Sequence, residues 1–280
     1  MWQARRKASN EGGTMKNKYL VIFLTCFVFV AVSFVCLKVL FTVRDISVSY
    51  SVVNESNAEE VSSILDKYKG KLIFSVDEKK IAEEITENRY LKVTEVKKIY
   101  PCEIAVSLCE RTDLFYYETK ENGVSEYYCF DEEFFVVEKT FAEPKSRGLI
   151  RVAFVDKLKS EKPSFELKKT VAFSYGFNEL LTECYNALGD RKNNITDIIF
   201  IATPDEGNYR IALKTVEGVA VEIMYADAEL TDKVVSALDF YEKLSESDRI
   251  GNYIHVAKND KVIECTYTRS SAMPEDWDVY

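Results

Sequence analysis

The sequence predicts an α+β protein with a single N-terminal transmembrane helix, then a β-α-α-β-β unit, then a mostly antiparallel β-rich region with two helices. Three observations lead to this prediction. The run Tyr19–Leu40 is predominantly apolar and carries a single charge, at Lys38. The next stretch, about 70 residues long, switches between strand and helix periodicity. The remainder holds short runs rich in β-branched and aromatic residues, separated by turn residues.

The apolar run is long enough to cross a membrane. It has 22 residues, and a bilayer core needs about 20 at a rise of 1.5 Å per residue. Lys38 can extend its ammonium group to the interface, so it does not interrupt the span. A cleaved signal peptide is the alternative, but its apolar region is typically about 7–15 residues and small residues follow it. Bulky residues follow here, at 37–41, which favours a retained anchor.

Charge predicts the orientation of this anchor. Five basic residues and one acidic residue precede the span, although the whole chain carries a net charge of −9. Basic residues beside a span favour a cytoplasmic N-terminus. The outer body is therefore acidic, which argues against nucleic-acid binding, where phosphate contacts need Lys and Arg. The expected organisation is a cytoplasmic tail 1–18, a transmembrane helix 19–40, a first outer domain 41–111, a β domain 112–269 and a C-terminal tail 270–280.

The first outer domain shows the order β-α-α-β-β. Ile46, Val48 and Tyr50 alternate with serines in a predicted strand. Asn57 and Glu60 match a helix capping box, and Gly70 is expected to end that helix. The apolar stripes of the two helices consist of Val61, Ile64, Leu65 and Tyr68, and of Ile81, Ala82 and Ile85.

The second helix, its cap and the two following strands complete this unit. Either Ser75 or Asp77 is expected to cap the second helix. Leu91–Ile99 is a predicted strand with a bulge near Thr94-Glu95, and a turn at Tyr100-Pro101 leads to a strand with apolar Ile104, Val106 and Leu108. Neither helix can bury its stripe alone, so both are expected to pack on one face of the sheet.

Several segments in this order resemble a known bacterial family, FtsQ/DivIB. The resemblance lies in 41–48 (FTVRDISV), 69–77 (KGKLIFSVD), 93–101 (VTEVKKIYP), 104–111 (IAVSLCER) and Phe130-Asp131. It implies a POTRA domain directly after the membrane helix, followed by a β domain. It also implies a divisome scaffold in the bacterial cell membrane at the division septum, binding the outer parts of FtsB/DivIC-like and FtsL-like single-pass proteins and helping to regulate septal peptidoglycan synthesis.

In the β domain, two helices and a closing hairpin can be located. The helices are predicted at Ala172–Leu188 and Leu230–Leu244, and the hairpin strands at Tyr253–Val256 and Val262–Tyr267. The last strand is the candidate partner-binding edge, because no later strand is available to cover it. Its residues are Val262, Ile263, Glu264, Cys265, Thr266 and Tyr267. Their outward N–H groups belong either to 262, 264 and 266 or to 263, 265 and 267; an ordinary core strand is the alternative.

Catalytic chemistry is not expected. The one histidine, His255, lies in a predicted strand, and Asp131-Glu132-Glu133 is more typical of a solvated turn than of an acid pair. The five cysteines outside the anchor are not paired in close motifs, so mostly buried free thiols are expected, and neither a metal nor a cofactor is predicted. Two alternatives remain open: a POTRA-bearing export or chaperone component, and a cell-wall hydrolase with a carboxyl group of raised pKa.

Overall fold

In the computed structural model, the chain divides into two compact units between Glu110 and Arg111. The residues it describes are 2–51, 55–121, 123–156, 163–202, 209–226, 229–249, 252–259 and 262–269. The predicted tail 270–280 lies outside these ranges, and so does Asn122, which together with Gly123 forms a sequence typical of a tight turn between strands. Gly123 itself has a φ of +80°, which a glycine adopts without strain.

A long helix, α1 (Trp2–Leu40), opens the first unit. Its part from Lys18 to Leu40, 23 residues, is long and apolar enough to cross a membrane. The helix starts before the predicted span. It includes residues 2–18, which were expected to form a cytoplasmic tail. An N-terminal apolar helix followed by the domain described next fits a single-pass membrane protein.

The rest of the first unit has the predicted order β-α-α-β-β. Its elements are β1 (Asp45–Tyr50), α2 (Glu55–Asp66), α3 (Glu78–Thr86), β2 (Leu91–Ile99) and β3 (Glu103–Glu110). The sheet has the order β1-β3-β2, with β3 parallel to β1 and antiparallel to β2. The register shifts between Val93 and Glu95, so the bulge predicted there is confirmed.

Both helices bury their apolar stripes in a single core with the sheet. Val61 and Leu65 of α2 and Ile85 of α3 are at most 2% exposed. They belong to the same cluster as the alternating Ile104, Val106 and Leu108 of β3. Ile64 is only partly buried at the margin of this core.

One predicted cap is wrong and one alternative is resolved. The helix α2 begins at Glu55, so Asn57 lies inside it and cannot form the predicted capping box. Its side chain instead donates to Glu110 Oε1 at 2.6 Å and accepts from Asn88 Nδ2 at 3.1 Å. A local motif cannot reveal such partners, which are distant in sequence. Asp77, not Ser75, caps α3, accepting from Lys79 N at 3.0 Å.

The second unit is a nine-stranded mixed sheet covered on one face by two helices. The elements are β4 (Phe115–Glu121), β5 (Val124–Phe130), β6 (Val136–Thr140), β7 (Ile150–Asp156), α4 (Phe177–Ala187), β8 (Ile195–Ala202), β9 (Tyr209–Thr215), β10 (Ala220–Ile223), α5 (Leu230–Lys243), β11 (Tyr253–Asn259) and β12 (Val262–Thr268). The strand order is β12-β11-β10-β9-β8-β7-β4-β5-β6. Five neighbouring pairs are antiparallel and three are parallel, which confirms a mostly antiparallel β-rich fold.

The helix α4 begins five residues later than predicted, and the side chain of Asn178 explains why. Its Oδ1 accepts from Phe173 N at 2.8 Å, and its Nδ2 donates to Val171 O at 2.9 Å. These bonds hold the preceding segment extended, with φ −87° and ψ 151° at Phe173. The apolar side chain of Phe173 still enters the core, so the helical spacing that suggested an earlier start reflects burial alone.

Candidate partner-binding edge

The strand β12 lies at one end of the nine-stranded sheet. Within the described residues, its backbone pairs along one side only, with β11, in an antiparallel register that matches His255 with Thr266 and Ala257 with Glu264. Its other side therefore carries main-chain donors and acceptors that no described strand covers, as at any sheet edge.

Two backbone hydrogen bonds on the inner side of β11 decide which groups of β12 point outward. Ala220 N donates to Asn252 O at 2.9 Å, and Met224 N donates to Val256 O at 3.0 Å. Even-numbered residues of β11 thus direct their backbone groups at β10, and odd-numbered residues direct theirs at β12. Because His255 is opposite Thr266, the even-numbered residues of β12 bond inward. Ile263, Cys265 and Tyr267 therefore present their N–H and C=O groups outward.

The side chains of β12 divide between the two faces of the sheet. Ile263, Cys265 and Tyr267 are half-buried and pack against the main core. Val262, Glu264, Thr266 and Thr268 are exposed, and Val262 is 62% exposed. Burial raises the pKa of the Cys265 thiol. The residues with outward backbone groups are thus held in place by the packing of their own side chains.

A polar cluster around Asp248 fastens the C-terminal end of β12. Tyr267 Oη donates to Asp248 Oδ1 at 3.2 Å, and Arg269 Nη2 donates to the same oxygen at 2.7 Å. Ser245 Oγ donates to Asp248 Oδ2 at 2.7 Å. These hydrogen bonds lower the pKa of Asp248, and the bond from Ser245 has the largest effect. The cluster joins the edge strand to the turn that follows α5.

His255 lies on β11, next to the edge strand, and belongs to a polar cluster around the buried carboxylate of Glu222. Its Nδ1 lies 3.2 Å from Oε2 of Glu222, a residue only 4% exposed. Arg210 Nη1 donates to Glu222 Oε1 at 2.8 Å, and the Tyr253 hydroxyl also donates to Glu222. The pKa of Tyr253 is raised, mainly by burial and next by the hydrogen bond to Glu222. These contacts give His255 a structural role in linking β10 to β11.

The expectation of a solvated turn is wrong for Asp131, which is only 3% exposed. It forms an ion pair with Arg111 and accepts hydrogen bonds from the backbone N–H groups of Glu133 at 2.9 Å and Phe135 at 3.0 Å. The guanidinium of Arg111 lies over the Phe135 ring, 3.9 Å from its centroid. Asp131 thus shapes the turn between β5 and β6.

One further acidic group was not found from the sequence. Asp113, Cys129 and Glu138 bring potential ligand atoms within 4.8 Å of one another. Arg147, however, donates to both carboxylates, to Glu138 at 2.7 Å and to Asp113. Burial raises the pKa of the Cys129 thiol to about 12, so the thiol stays protonated. The geometry is that of an arginine bound by two carboxylates.

The cysteine expectation holds in part. Cys102, Cys109, Cys129, Cys184 and Cys265 are all free. Only Cys129 and Cys184 are buried, whereas the other three are half-buried.

Comparison with known proteins identifies the domain that follows α1. The family model for the POTRA domain, FtsQ-type, matches residues 41–111. This range contains β1 to β3 with α2 and α3, the elements whose order the sequence predicted. No curated protein matches the chain. The protein thus carries an FtsQ-type POTRA domain behind an apolar N-terminal helix, which confirms its resemblance to the FtsQ/DivIB family.

Proposed function

We propose that this protein is a divisome scaffold, anchored by α1 with its N-terminus in the cytoplasm and its body outside, at the division septum. It binds FtsB/DivIC-like and FtsL-like single-pass proteins and so helps to regulate septal peptidoglycan synthesis. The observation that carries this proposal is the FtsQ-type POTRA domain at residues 41–111. This match supports a division-related role through protein–protein interaction.

The candidate contact is addition of a partner strand to β12. An extended peptide that pairs with a free sheet edge gains affinity from main-chain hydrogen bonds, and its alternate side chains give specificity. Ile263, Cys265 and Tyr267 would supply the main-chain bonds. The exposed Val262, Glu264 and Thr266 would meet the partner's side chains on one face, offering apolar, acidic and hydroxyl contacts.

The architecture of the second unit favours a scaffold over an export or chaperone component. A tandem POTRA protein repeats the β-α-α-β-β unit. The described residues after Glu110 instead form a nine-stranded mixed sheet with helices between later strands. A hydrolase would need a carboxyl group of raised pKa in a cleft. The buried carboxyl groups of Glu222 and Asp131 are instead each held in an ion pair with an arginine.

Proline substitutions test the edge directly. Proline removes the N–H and clashes with an incoming strand. Cys265→Pro removes an outward donor and should abolish capture of the FtsB/DivIC-like partner from membranes while leaving the melting temperature nearly unchanged. Glu264→Pro removes a donor to β11 and should lower the melting temperature itself.

Cys265→Ala is the matched control, because it loses the same thiol but keeps the N–H; it should capture the partner normally. Capture by a well-folded Cys265→Pro protein would exclude strand addition at this edge. Failure of the unmodified full chain to capture either division protein would overturn the scaffold proposal itself.

A further inference from the structure

An exposed apolar surface lies at one end of the first unit. It consists of the exposed Leu72, Phe74, Ile99 and Tyr100 together with the half-buried Phe41, and is named here the aromatic patch. Phe74 is 61% exposed and Tyr100 57%. The rings form a row: the centroids of Phe41 and Phe74 are 4.8 Å apart, and those of Phe74 and Tyr100 are 5.6 Å apart. Single exposed apolar residues are ordinary, whereas a contiguous group of them marks an interaction surface.

Backbone hydrogen bonds bring the three segments of the patch together. Ile73 N donates to Phe41 O at 2.8 Å, and Val43 N donates to Lys71 O at 2.8 Å. Arg44 N donates to Cys102 O at 2.9 Å, which joins the turn after β2 to the same place. The patch is therefore a built part of the domain and not a set of loose loop tips.

The patch is also fastened to the end of α1. Phe41 follows the last helical residue directly, and its N–H donates to Leu37 O at 2.9 Å. Arg44 Nη2 donates to Val39 O at 2.9 Å, and Thr42 Oγ1 donates to Lys38 O. These side chains satisfy carbonyls in the last turn of the helix, which otherwise lack partners. The connection from helix to domain thus has a set direction instead of acting as a free tether.

The end of a spanning helix lies at the lipid–water interface. The 23 residues from Lys18 to Leu40 extend about 34 Å, slightly more than a hydrocarbon core of about 30 Å. Phe41 then lies at headgroup level, with the other two rings beside it. Aromatic side chains concentrate at this level of membrane proteins, because the interface accepts both an apolar ring and a polar edge. Exposed Arg44 and Lys71 flank the patch and suit lipid phosphates.

We propose that the aromatic patch inserts into the outer lipid–water interface of the membrane that α1 crosses, so that the POTRA domain rests on the lipid surface. The inference depends on the proposed span. Continuity with the end of α1 is the reason to choose lipid as the occupant over a second copy of the chain or a protein partner.

Tryptophan quenching in vesicles tests this. In a full chain carrying Trp2→Phe and Trp277→Phe, the single substitution Phe74→Trp is reconstituted in phosphatidylcholine with acyl chains brominated near the headgroup. We expect blue-shifted emission and at least a twofold loss of intensity relative to unbrominated vesicles. Phe29→Trp, at the middle of the apolar part of α1, is the positive control and is measured in vesicles whose acyl chains are brominated near their methyl ends.

Tyr50→Trp is the control within the same domain. Tyr50 ends β1, whose six residues carry the chain roughly 17 Å from the membrane-proximal Asp45, so it should escape quenching. Quenching at position 74 together with no quenching at position 50 supports the proposal.

If the Phe29→Trp protein is quenched and the Phe74→Trp protein emits as in water, the span stands and the patch proposal is wrong. Blue-shifted but unquenched emission from the Phe74→Trp protein would mean that protein covers the patch, which also overturns the proposal. An unquenched Phe29→Trp protein would refute the span, and the patch proposal with it.

Discussion

Arg111 and Asp131 form a buried ion pair between residues 20 positions apart, with side chains only 10% and 5% exposed. Each belongs to a segment that carries the family resemblance. Removing one partner leaves the other charge buried without compensation, which typically costs about 3–5 kcal/mol. We therefore expect Asp131→Ala and Arg111→Ala each to lower the free energy of unfolding of the full chain in detergent by about that amount, measured by urea denaturation.

A control and a double variant separate the pair from general damage. Glu133 lies 3.5 Å from Arg111 but is 50% exposed, so Glu133→Ala should cost at most about 1 kcal/mol. Because the two charges compensate each other, the double variant should lose less stability than the sum of the single variants. Strict additivity would show that the two residues do not stabilise each other.

The POTRA core predicts unequal effects for two isoleucines that the sequence places on equivalent helix faces. Ile85 is fully buried, whereas Ile64 is only partly buried. Ile85→Asp should cost several kcal/mol and abolish cooperative unfolding of the domain, because the carboxylate would lack both water and a partner. Ile64→Asp should cost clearly less. Ile85→Val, at about 0.5–1.5 kcal/mol, controls for lost volume, and equal melting of all variants would contradict this packing.

Topology is testable with reporters. Basic residues before an apolar helix predict a cytoplasmic N-terminus. A reporter active only outside the cytoplasm should work when fused after Tyr280 and be inactive when fused before Trp2. The reverse pattern would contradict the proposed orientation.

Acid should weaken the attachment of β12. The pKa of Asp248 is lowered from its ordinary value of 3.8 by its hydrogen bonds to Ser245, Arg269 and Tyr267. A carboxyl group with a lowered pKa stabilises the fold at pH values above its unfolded pKa, and this contribution is lost as the pH falls through the folded pKa. Amide hydrogen exchange along β12 should therefore be slower in the unmodified protein than in Asp248→Asn at pH 6. The difference should shrink below pH 3.8, and a difference independent of pH would refute this role.

Periodicity determined most of the first unit from sequence alone. Neighbours within a few residues determine the strands, the bulge near Thr94 and the apolar stripe that ends in Ile85. The same is true of Asp77, one of the two residues expected to cap the second helix. The apolar helix follows equally directly from composition. Where the local pattern failed, a side-chain hydrogen bond that periodicity does not reveal had intervened: Asn57 bonds to the distant Glu110 instead of capping α2, and the nearby Asn178 holds Phe173 extended.

Only the tertiary structure decides which backbone groups of the edge strand β12 point outward. An alternating sequence such as Val262–Tyr267 shows which side chains share a face but not which backbone groups point outward, because that depends on the neighbouring strand. The parallel pairing of β10 with β11, formed across the intervening α5, settles it in favour of Ile263, Cys265 and Tyr267. The burial of Asp131 and the gathering of Phe41, Phe74 and Tyr100 arise in the same way, since contacts between distant segments leave no periodic trace in the chain.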